Sequence, residues 1–332
     1  MKKKIIIGLY FISISVFAQA NISDISSLPG AFSRMGFGAR GMGMGNALSA
    51  VTEGNLVSYY NPALSVFQQG NSFTTSYSML SLDRSLNFLN YTKRFEFGQK
   101  TNPDGSTSPR STAGISIGLI NAGVSNIDAR DDEGVKTGTL STSENQFFVS
   151  VANRFSQKLS IGFTFKFYYY KLYQSITSTG LGFDVGALYL LDESMTVSLM
   201  ISDINSRYQW DTGSLYGQDG KITKDYFPVL KKIGFAYKFN EPKIIASVEI
   251  ENSNAGTNIL RGGAEYNIYE NLFLRTGFDK LNLSNYDFPV RPSFGFSYFY
   301  SLNTIKFGID YAFVIEPYSS SSQHIVGINV NF

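Results

Sequence analysis

The sequence contains no cysteine, one histidine and one tryptophan, and only 16% of its 332 residues are charged. Without cysteine the chain has neither thiol chemistry nor a thiolate metal site. A Ser-His-acid triad would have to use the lone His324, and no nucleophile-elbow motif accompanies it. The acidic run 128–133 lacks the spacing of a calcium site, which indicates a solvated loop. We therefore expect no enzyme activity, no catalytic residue, no cofactor and no metal ion.

Long apolar runs are also missing, except near the N-terminus. Residues 2–4 are lysines, residues 5–17 are mostly apolar, and Ala-Gln-Ala follows at 18–20. The run is shorter than the roughly 20 residues that span a membrane, so a secretory signal peptide (1–20) is favoured over a membrane anchor. Removal of the signal peptide would take away three of the 28 basic residues and leave 25 basic and 26 acidic residues. That balance gives no basic surface for nucleic acid.

Alternating hydrophobicity is the main signal from about residue 72 onward. In 158–172 the odd positions from Leu159 to Tyr169 are apolar, and the even positions from Ser160 to Tyr168 are mostly polar. A period of two residues indicates β-strands with one apolar and one polar face. The pattern recurs in 180–190, 232–239, 291–300 and 304–314.

A soluble β-sandwich would turn the apolar faces inward, whereas an outer-membrane barrel would turn them towards lipid. Segments of about 9–12 residues match a tilted membrane-crossing strand, and the apolar faces are rich in Phe and Tyr. Connections alternate between short and long, as periplasmic turns and outside loops do. We therefore predict an all-β fold, a transmembrane antiparallel β-barrel of about 14 strands over 72–332, with the sandwich as the alternative.

Fourteen candidate strands follow from this pattern. They are 72–82, 85–95, 113–122, 146–155, 158–172, 179–192, 195–206, 229–239, 243–253, 258–268, 271–280, 291–301, 304–315 and 323–332. The longer connections, interpreted as outside loops, are 123–145, 207–228, 281–290 and 316–322. An even strand number places both ends of the barrel on the periplasmic side. The connection 96–112 does not fit, because it should be a short periplasmic turn.

The chain ends in HIVGINVNF, where apolar residues alternate up to the terminal Phe332. A terminal aromatic on an alternating strand resembles the signal that the outer-membrane insertion machinery reads. Together with the signal peptide, it predicts the outer membrane of a Gram-negative bacterium, with lipid and that machinery as partners.

Residues 21–71 do not alternate and precede the first strand. Gly36, Gly38 and Gly41 have the spacing G-x-G-x-x-G, but no strand leads into them and no βαβ unit follows, which argues against a dinucleotide site. A lumen of fourteen strands is wider than wall side chains can fill, so we predict that 21–71 forms a plug, or hatch, whose glycines allow close approach to the wall. The residues assigned to this plug are Arg34, Gly36, Gly38, Arg40, Gly41, Gly43, Gly45, Asn61 and Pro62.

The predicted wall complements the plug. Eight glycines fall on its inward face: Gly162, Gly182, Gly186, Gly234, Gly263, Gly277, Gly295 and Gly308. Arg34 and Arg40 would be costly inside the barrel without partners, so either inward carboxylates pair with them or they reach lumenal water. The candidate carboxylates are Asp184, Glu249, Glu265, Asp279 and Asp310.

The stretch FSRMGFGARGMGMGNALSAVTEGNLVSYYNPALSVF (32–67) resembles the N-terminal signature of the PorV/PorQ family, part of the wider group of FadL-like outer-membrane proteins whose plug carries Asn-Pro-Ala. Further similar stretches are 118–134, 158–167, 182–190, 261–278 and 307–313. The resemblance implies a fourteen-stranded barrel with an N-terminal plug. In the best-known members it implies a role in type IX secretion in Bacteroidetes-type bacteria, where PorV-like proteins capture the C-terminal signal domain of secreted cargo.

Two functions remain open. In the first, the barrel is plugged and engages secretion-system components and cargo domains through 123–145, 207–228 and 281–290, with Trp210 as a contact anchor or a girdle residue. In the second, it is a FadL-like channel for a hydrophobic ligand, opened by a shift of the plug near Asn61-Pro62. The inward apolar residues that favour a channel are Phe148, Tyr168, Leu188, Ile245, Phe273 and Phe299.

Overall fold

The computed structural model describes residues 24–332 apart from 102–104, 106, 174–175 and 287, so the predicted signal peptide lies outside the described residues. Sixteen strands occur in this part of the chain. They are β1 (Asn71–Met79), β2 (Arg84–Thr101), β3 (Thr107–Arg130), β4 (Lys136–Arg154), β5 (Leu159–Tyr173), β6 (Ile176–Leu190), β7 (Met195–Ile204), β8 (Arg207–Asp211), β9 (Ile222–Tyr226), β10 (Leu230–Phe239), β11 (Ile244–Ser253), β12 (Asn258–Tyr269), β13 (Leu272–Asn282), β14 (Arg291–Leu302), β15 (Ile305–Val314) and β16 (Gln323–Asn331).

Fourteen of these strands close into one antiparallel ring. Each strand from β1 to β6 pairs with the next, β7 pairs with β10, and the pairing continues in chain order to β16. The ring closes where Ser72 of β1 lies opposite Asn331 of β16. The remaining strands, β8 and β9, form a ribbon that is joined to β6 at Ser178 and Thr179. The predicted fourteen-stranded barrel is confirmed, and the sandwich is excluded.

The two ends of the ring differ in their connections. At the end where β1 begins and β16 finishes, the connections are two to five residues long; we call this the turn end. The opposite end carries the longest connections, 205–229, 283–290 and 315–322; we call it the loop end. The barrel therefore has one opening bordered by short turns and one bordered by long loops.

Two predicted loops are largely strand. In 96–112, β2 and β3 continue their pairing beyond the start of β1, with Phe97 opposite Ser111 and Thr101 opposite Thr107. In 123–145, β3 and β4 likewise stay paired as far as Arg130 and Lys136. Ladder hydrogen bonds depend on the backbone and not on side-chain hydropathy, so pairing continues where the apolar alternation has stopped. This explains the long 96–112 connection as a projecting hairpin.

The wall is apolar outside and polar inside. Along β5, Phe163 and Phe165 face outward and are 41% and 39% exposed, while Thr164 and Lys166 face inward and are almost completely buried. The same alternation runs through the other ring strands. Among the described residues, no helix is long and apolar enough to cross a membrane.

The inner face of the wall is covered by residues 24–70, which we call the inner segment. It contains a short helix, α1 (Ala39–Gly43), and three 3-10 helices, Asp24–Ser27, Ala31–Arg34 and Pro62–Phe67. Helix α1 lies against β13 to β16, and the 3-10 helix Pro62–Phe67 lies against β2 to β6. The inner segment thus contacts opposite sides of the ring before it enters β1.

Candidate functional site

The Asn-Pro-Ala motif fixes the last helix of the inner segment to the wall. Asn61 is the N-cap residue of the 3-10 helix Pro62–Phe67, where its side-chain oxygen accepts from the Ala63 amide at 3.0 Å, and Pro62 takes the first helical position. The Asn61 amide nitrogen also donates to the Ala187 carbonyl of β6 at 3.3 Å. A side chain at Gly186 or Gly162 would overlap this motif, so these two wall glycines permit its close approach.

The glycines of the inner segment serve different geometries. Gly36, Gly38 and Gly45 adopt positive φ angles of 90°, 76° and 59°. A Cβ at Gly41 would overlap the Tyr60 hydroxyl, which lies 2.8 Å from the Phe37 carbonyl oxygen. Burial raises the pKa of Tyr60 above its usual range, so this hydroxyl stays protonated and able to donate. The spacing G-x-G-x-x-G therefore supports a compact turn and a buried tyrosine.

Gly43 and Gly45 approach the wall to different depths. A Cβ at Gly43 would lie 3.4 Å from the Gly295 Cα, which is an ordinary contact distance. A Cβ at Gly45 would overlap the Phe278 carbonyl, and the facing wall positions, Gly263 and Gly277, already touch the backbone of Met44 and Gly45. The segment is therefore in backbone-to-backbone contact with β12 and β13.

This difference gives a matched pair of variants. We expect Gly45→Ala to lower the yield of heat-modifiable, folded barrel severalfold, because both the overlap and the positive φ oppose a side chain there. Gly43→Ala should fold as the parent chain does. Electrophoretic mobility with and without boiling measures both yields. Equal yields for the two variants would contradict the close contact between Gly45 and the wall.

One of the two predicted plug arginines meets a predicted carboxylate. Arg40 donates from Nε to Glu265 Oε2 at 2.9 Å and from Nη2 to Oε1 at 2.8 Å, and its third nitrogen donates to the Asn55 carbonyl at 3.0 Å. Arg275 of β13 donates to the same Glu265 at 2.5 Å. All three charged side chains are buried. We call the ion pair between Arg40 and Glu265 the Arg40–Glu265 latch, because it joins the inner segment to β12.

Arg34 forms no ion pair with any of the five predicted wall carboxylates in the part of the chain that the structure describes. Its guanidinium donates to the carbonyl oxygens of Pro29 at 2.7 Å and Leu28 at 3.3 Å, so of the two alternatives for this arginine the pairing with a wall carboxylate is not seen. The reason is local, since the turn that precedes the 3-10 helix Ala31–Arg34 directs its carbonyls towards this side chain. Arg34 therefore stabilises the start of the inner segment.

The other four carboxylates bind partners on the wall or the inner segment. Asp184 lies 2.8 Å from the Lys166 ammonium, and Asp310 accepts from Asn329 at 2.5 Å. Glu249 and Asp279 both pair with Arg261, at 3.3 and 2.7 Å. The wall cations absent from the sequence-based assignment are Lys166, Lys232, Arg261, Arg275 and Arg291. They occupy the inward positions of their strands. The alternation of inward and outward residues along the sequence is therefore the signal that could identify them.

Asp279 connects a wall charge cluster to the inner segment. It accepts from Asn46 at 3.0 Å and from Arg261 at 2.7 Å. Arg261 also reaches Glu251 at 3.0 Å, and Lys232 lies 3.4 Å from the same Glu251. This buried cluster covers the inner face of β10 to β13.

The inner face of β2 to β6 carries an apolar patch among polar and charged side chains such as Lys166 and Asp184. Phe148, Tyr168 and Leu188 are fully buried there, as predicted from alternation. Farther round the ring, Phe299 is buried and Ile245 and Phe273 are half-buried. The lumen wall thus combines this apolar patch with the charged cluster of β10 to β13 and with the buried Lys166–Asp184 pair.

Aromatic rings continue from this apolar patch to the loop end. Tyr168 and Tyr208 each pack against Phe227, with ring centroids 4.8 and 4.9 Å apart, and Tyr170 packs against Trp210 at 5.3 Å. We call these five residues the aromatic strip. The Trp210 nitrogen donates to Asp225 at 2.8 Å, so Trp210 belongs to a packed cluster at the mouth of the lumen.

The inner segment meets this apolar patch through rings of its own. Phe37 stacks on Phe88 of β2 at 5.8 Å, and Phe88 stacks on Phe148 at 6.5 Å. Tyr59 contacts Phe37 edge-on at 4.4 Å. Ring contacts therefore contribute to this side of the interface, whereas the opposite side includes the Arg40–Glu265 latch and the apolar contacts of Ala39 and Met42.

Three other predicted features lie outside the lumen. Asp128 pairs with Arg130 and Lys136 at 2.7 and 2.6 Å, and no acidic cluster among the described residues is arranged to hold a metal ion. His324 lies 2.7 Å from the Tyr311 hydroxyl. Phe332 exchanges backbone hydrogen bonds with Asn71 at 2.8 and 3.0 Å, which closes the ring. Its role in barrel insertion stays a prediction.

Solved structures with this fold include two toluene transporters and a FadL homologue. TodX of Pseudomonas putida is 15% identical, with a TM-score of 0.56 over 89% of this chain and 96% of that one. TbuX of Ralstonia pickettii is 13% identical, with a TM-score of 0.53 over 89% and 97%. A FadL homologue of Pseudomonas aeruginosa is 10% identical, with a TM-score of 0.54 over 90% and 98%. The chain therefore has a FadL-like barrel fold. No family model and no curated protein matches the sequence.

Proposed function

We propose that this protein is an outer-membrane channel for a small hydrophobic molecule, with the inner segment as its gate. The observation that carries the proposal is the aromatic strip, which leads from the loop end to the apolar patch on the inner face of β2 to β6. The shared fold with transporters whose substrate is toluene supports the same conclusion.

The outer membrane of a Gram-negative bacterium is the proposed location. Outward side chains such as Phe163, Phe165 and Phe167 leave a band of aromatic and aliphatic surface around the ring. In water such a surface would drive association, whereas in lipid it is the expected exterior of a barrel. The loop end then faces the outside, because short turns face the periplasm in such barrels.

The two sides of the lumen suggest how the gate works. Near the loop end, Phe37 meets Phe88 of the wall through ring stacking, so separation there leaves no charge unpaired. On the opposite side, separation of the Arg40–Glu265 latch would leave the buried Arg40 without its carboxylate partner. A hydrophobic ligand can therefore displace the apolar contacts while the charged side holds the segment in place.

The lone tryptophan makes this proposal measurable. Trp210 is the sole tryptophan of the sequence and lies in the aromatic strip, so its fluorescence reports on ligand at the mouth of the lumen. Toluene titrated into the purified barrel in detergent should change the emission in a saturable way, and xylose should not. Tyr170→Ser removes one ring contact and should weaken toluene binding about two- to tenfold.

The neighbouring residue provides the control. Tyr169 faces outward, so Tyr169→Ser should bind toluene as the parent chain does. In cells, the protein should also speed entry of a hydrophobic dye that the outer membrane otherwise excludes. If neither a saturable emission change nor faster dye entry occurs, the protein is not a hydrophobic channel.

A second candidate function is engagement of secreted cargo, as the PorV/PorQ resemblance implies. The observation in its favour is the connection 205–229, where Leu215, Tyr216, Ile222 and Tyr226 are all exposed beyond the ring. Capture of the C-terminal domain of a secreted protein from detergent-solubilised membranes would support this function. Loss of that capture on replacing these four side chains with serine would assign it to the connection.

A further inference from the structure

A second cavity lies at the turn end, on the other side of the inner segment from the aromatic strip. Its volume is about 460 Å³, within the range of small-molecule sites. The inner segment contributes Arg40, Asn55 and Phe67 to its lining, and the wall contributes Phe299, Asp310 and Asn331. Any molecule that occupies the cavity therefore touches both the inner segment and the ring.

Three polar atoms of these lining residues have no hydrogen-bond partner among the described residues. Asp310 is only 4% exposed; its Oδ2 accepts from Asn329, but its Oδ1 is unpaired. Asn331 donates to Asn55 at 2.8 Å, which leaves the Asn331 oxygen and the Asn55 nitrogen unpaired. A buried polar group without a partner is costly, so the cavity presents two acceptors and one donor to whatever fills it.

The same cavity has an aromatic surface. The rings of Phe273 and Phe299 meet at nearly a right angle with centroids 5.7 Å apart. The Lys306 ammonium lies 4.8 Å from the Phe299 ring centroid, a cation–π distance. An occupant would meet flat apolar surface on one side and unpaired hydrogen-bonding atoms on another.

The charges around the cavity restrict the occupant further. Four cationic side chains, Arg40, Lys238, Arg275 and Lys306, line it together with the acids Glu53, Glu265 and Asp310. The excess of cations disfavours an amine, and the unpaired Asp310 oxygen disfavours a carboxylate. A hydroxyl group is neutral and can both donate to Asp310 and accept from Asn55.

We propose that this cavity is a binding site for a small neutral molecule with an aromatic or aliphatic body and a hydroxyl group. The inference goes beyond the proposed function, because it assigns recognition of a polar group at the turn end, apart from hydrophobic contact at the aromatic strip. A molecule bound there lies against Arg40 and Asn55, so it contacts the inner segment beside the Arg40–Glu265 latch.

Toluene and p-cresol differ by one hydroxyl group, so a comparison of their affinities tests the site. In calorimetric titrations of the full-length barrel in detergent, p-cresol should bind about tenfold more tightly than toluene, after subtraction of partition into empty micelles. Asn55→Leu keeps the volume but removes the donor, and it should reduce the preference to about twofold. Asp310→Leu should do the same, and Asn55→Leu keeps the test decisive if that variant fails to fold.

The control variant lies outside the lumen. Tyr169→Ser should leave the p-cresol preference unchanged, because Tyr169 faces outward and contributes to neither site. Equal affinities for p-cresol and toluene in the parent chain, or a preference that survives Asn55→Leu, would mean that water alone fills the cavity and would overturn the inference. Toluene that still changes Trp210 emission in that case would leave the proposed channel intact, so the two failures are distinguishable.

Discussion

Replacing Arg261 with methionine should prevent most of the protein from reaching a folded barrel. Arg261 pairs with Asp279 at 2.7 Å, Glu251 at 3.0 Å and Glu249 at 3.3 Å, and all four side chains are buried. Removing one partner of a buried ion pair typically costs about 3–5 kcal/mol, and here one cation serves three carboxylates. Lys232 and Arg291 remain nearby, but each lies 3.4 Å or more from the carboxylates in question.

The yield of heat-modifiable barrel and the urea midpoint of unfolding measure this loss. Arg261→Lys keeps a cation and should recover part of both. Arg84→Met, at an exposed arginine near the loop end, should change neither. Because protonation removes the need for a cation, the deficit of Arg261→Met against the parent chain should shrink as the pH falls into the range where carboxylates titrate. A deficit that is the same at every pH would show that Arg261 acts by packing and not by charge.

The ring could be predicted from sequence because lipid imposes a strict alternation on every strand that crosses it. All fourteen ring strands follow this rule, and β5 follows it almost without exception between Leu159 and Tyr169. The ribbon of β8 and β9 was missed, because no lipid acts on it and the five residues of β9 are all exposed. The projecting parts of β2 and β3 were missed for the same reason.

The contacts in the lumen are harder to predict. The position of a residue in the alternating pattern shows which way its side chain faces, but not which neighbour it contacts. Glu265 was recognised as inward, and its pairing with Arg40 was among the possibilities. Its second partner, Arg275, is directly opposite in the β12–β13 register, and that register includes a shift between Asn267 and Tyr269 that the sequence does not mark. The partners of Arg34 are backbone carbonyls only a few residues away, and the hydropathy pattern gives no signal for such contacts.

Replacing Arg40 with methionine should open the barrel without unfolding it. The variant breaks the Arg40–Glu265 latch, but Glu265 keeps Arg275 as a partner, so the charge left behind is not alone. Loss of even 3 kcal/mol from the contact of the inner segment with the wall would raise the open fraction about a hundredfold. Single-channel recordings in planar bilayers should then show frequent conducting events, while the parent chain stays closed.

A second cation gives the matched control. Lys238 also joins the wall to the inner segment, through Glu53, but both side chains are more than 40% exposed. Exposed pairs contribute about 0–1 kcal/mol, so Lys238→Met should stay closed in the same recordings. If Arg40→Met is as silent as Lys238→Met, the latch does not hold the gate.

The cell-based dye assay adds a second measure of the same variants. The Asn-Pro-Ala motif still holds the Pro62–Phe67 helix against β6, so loosening the charged side should free the part of the inner segment around α1. Arg40→Met should therefore speed entry of the hydrophobic dye and also admit small polar solutes, whereas the parent chain should admit the dye alone. Selective entry in the parent chain and unselective entry in Arg40→Met would locate selectivity in the contact between the inner segment and the wall.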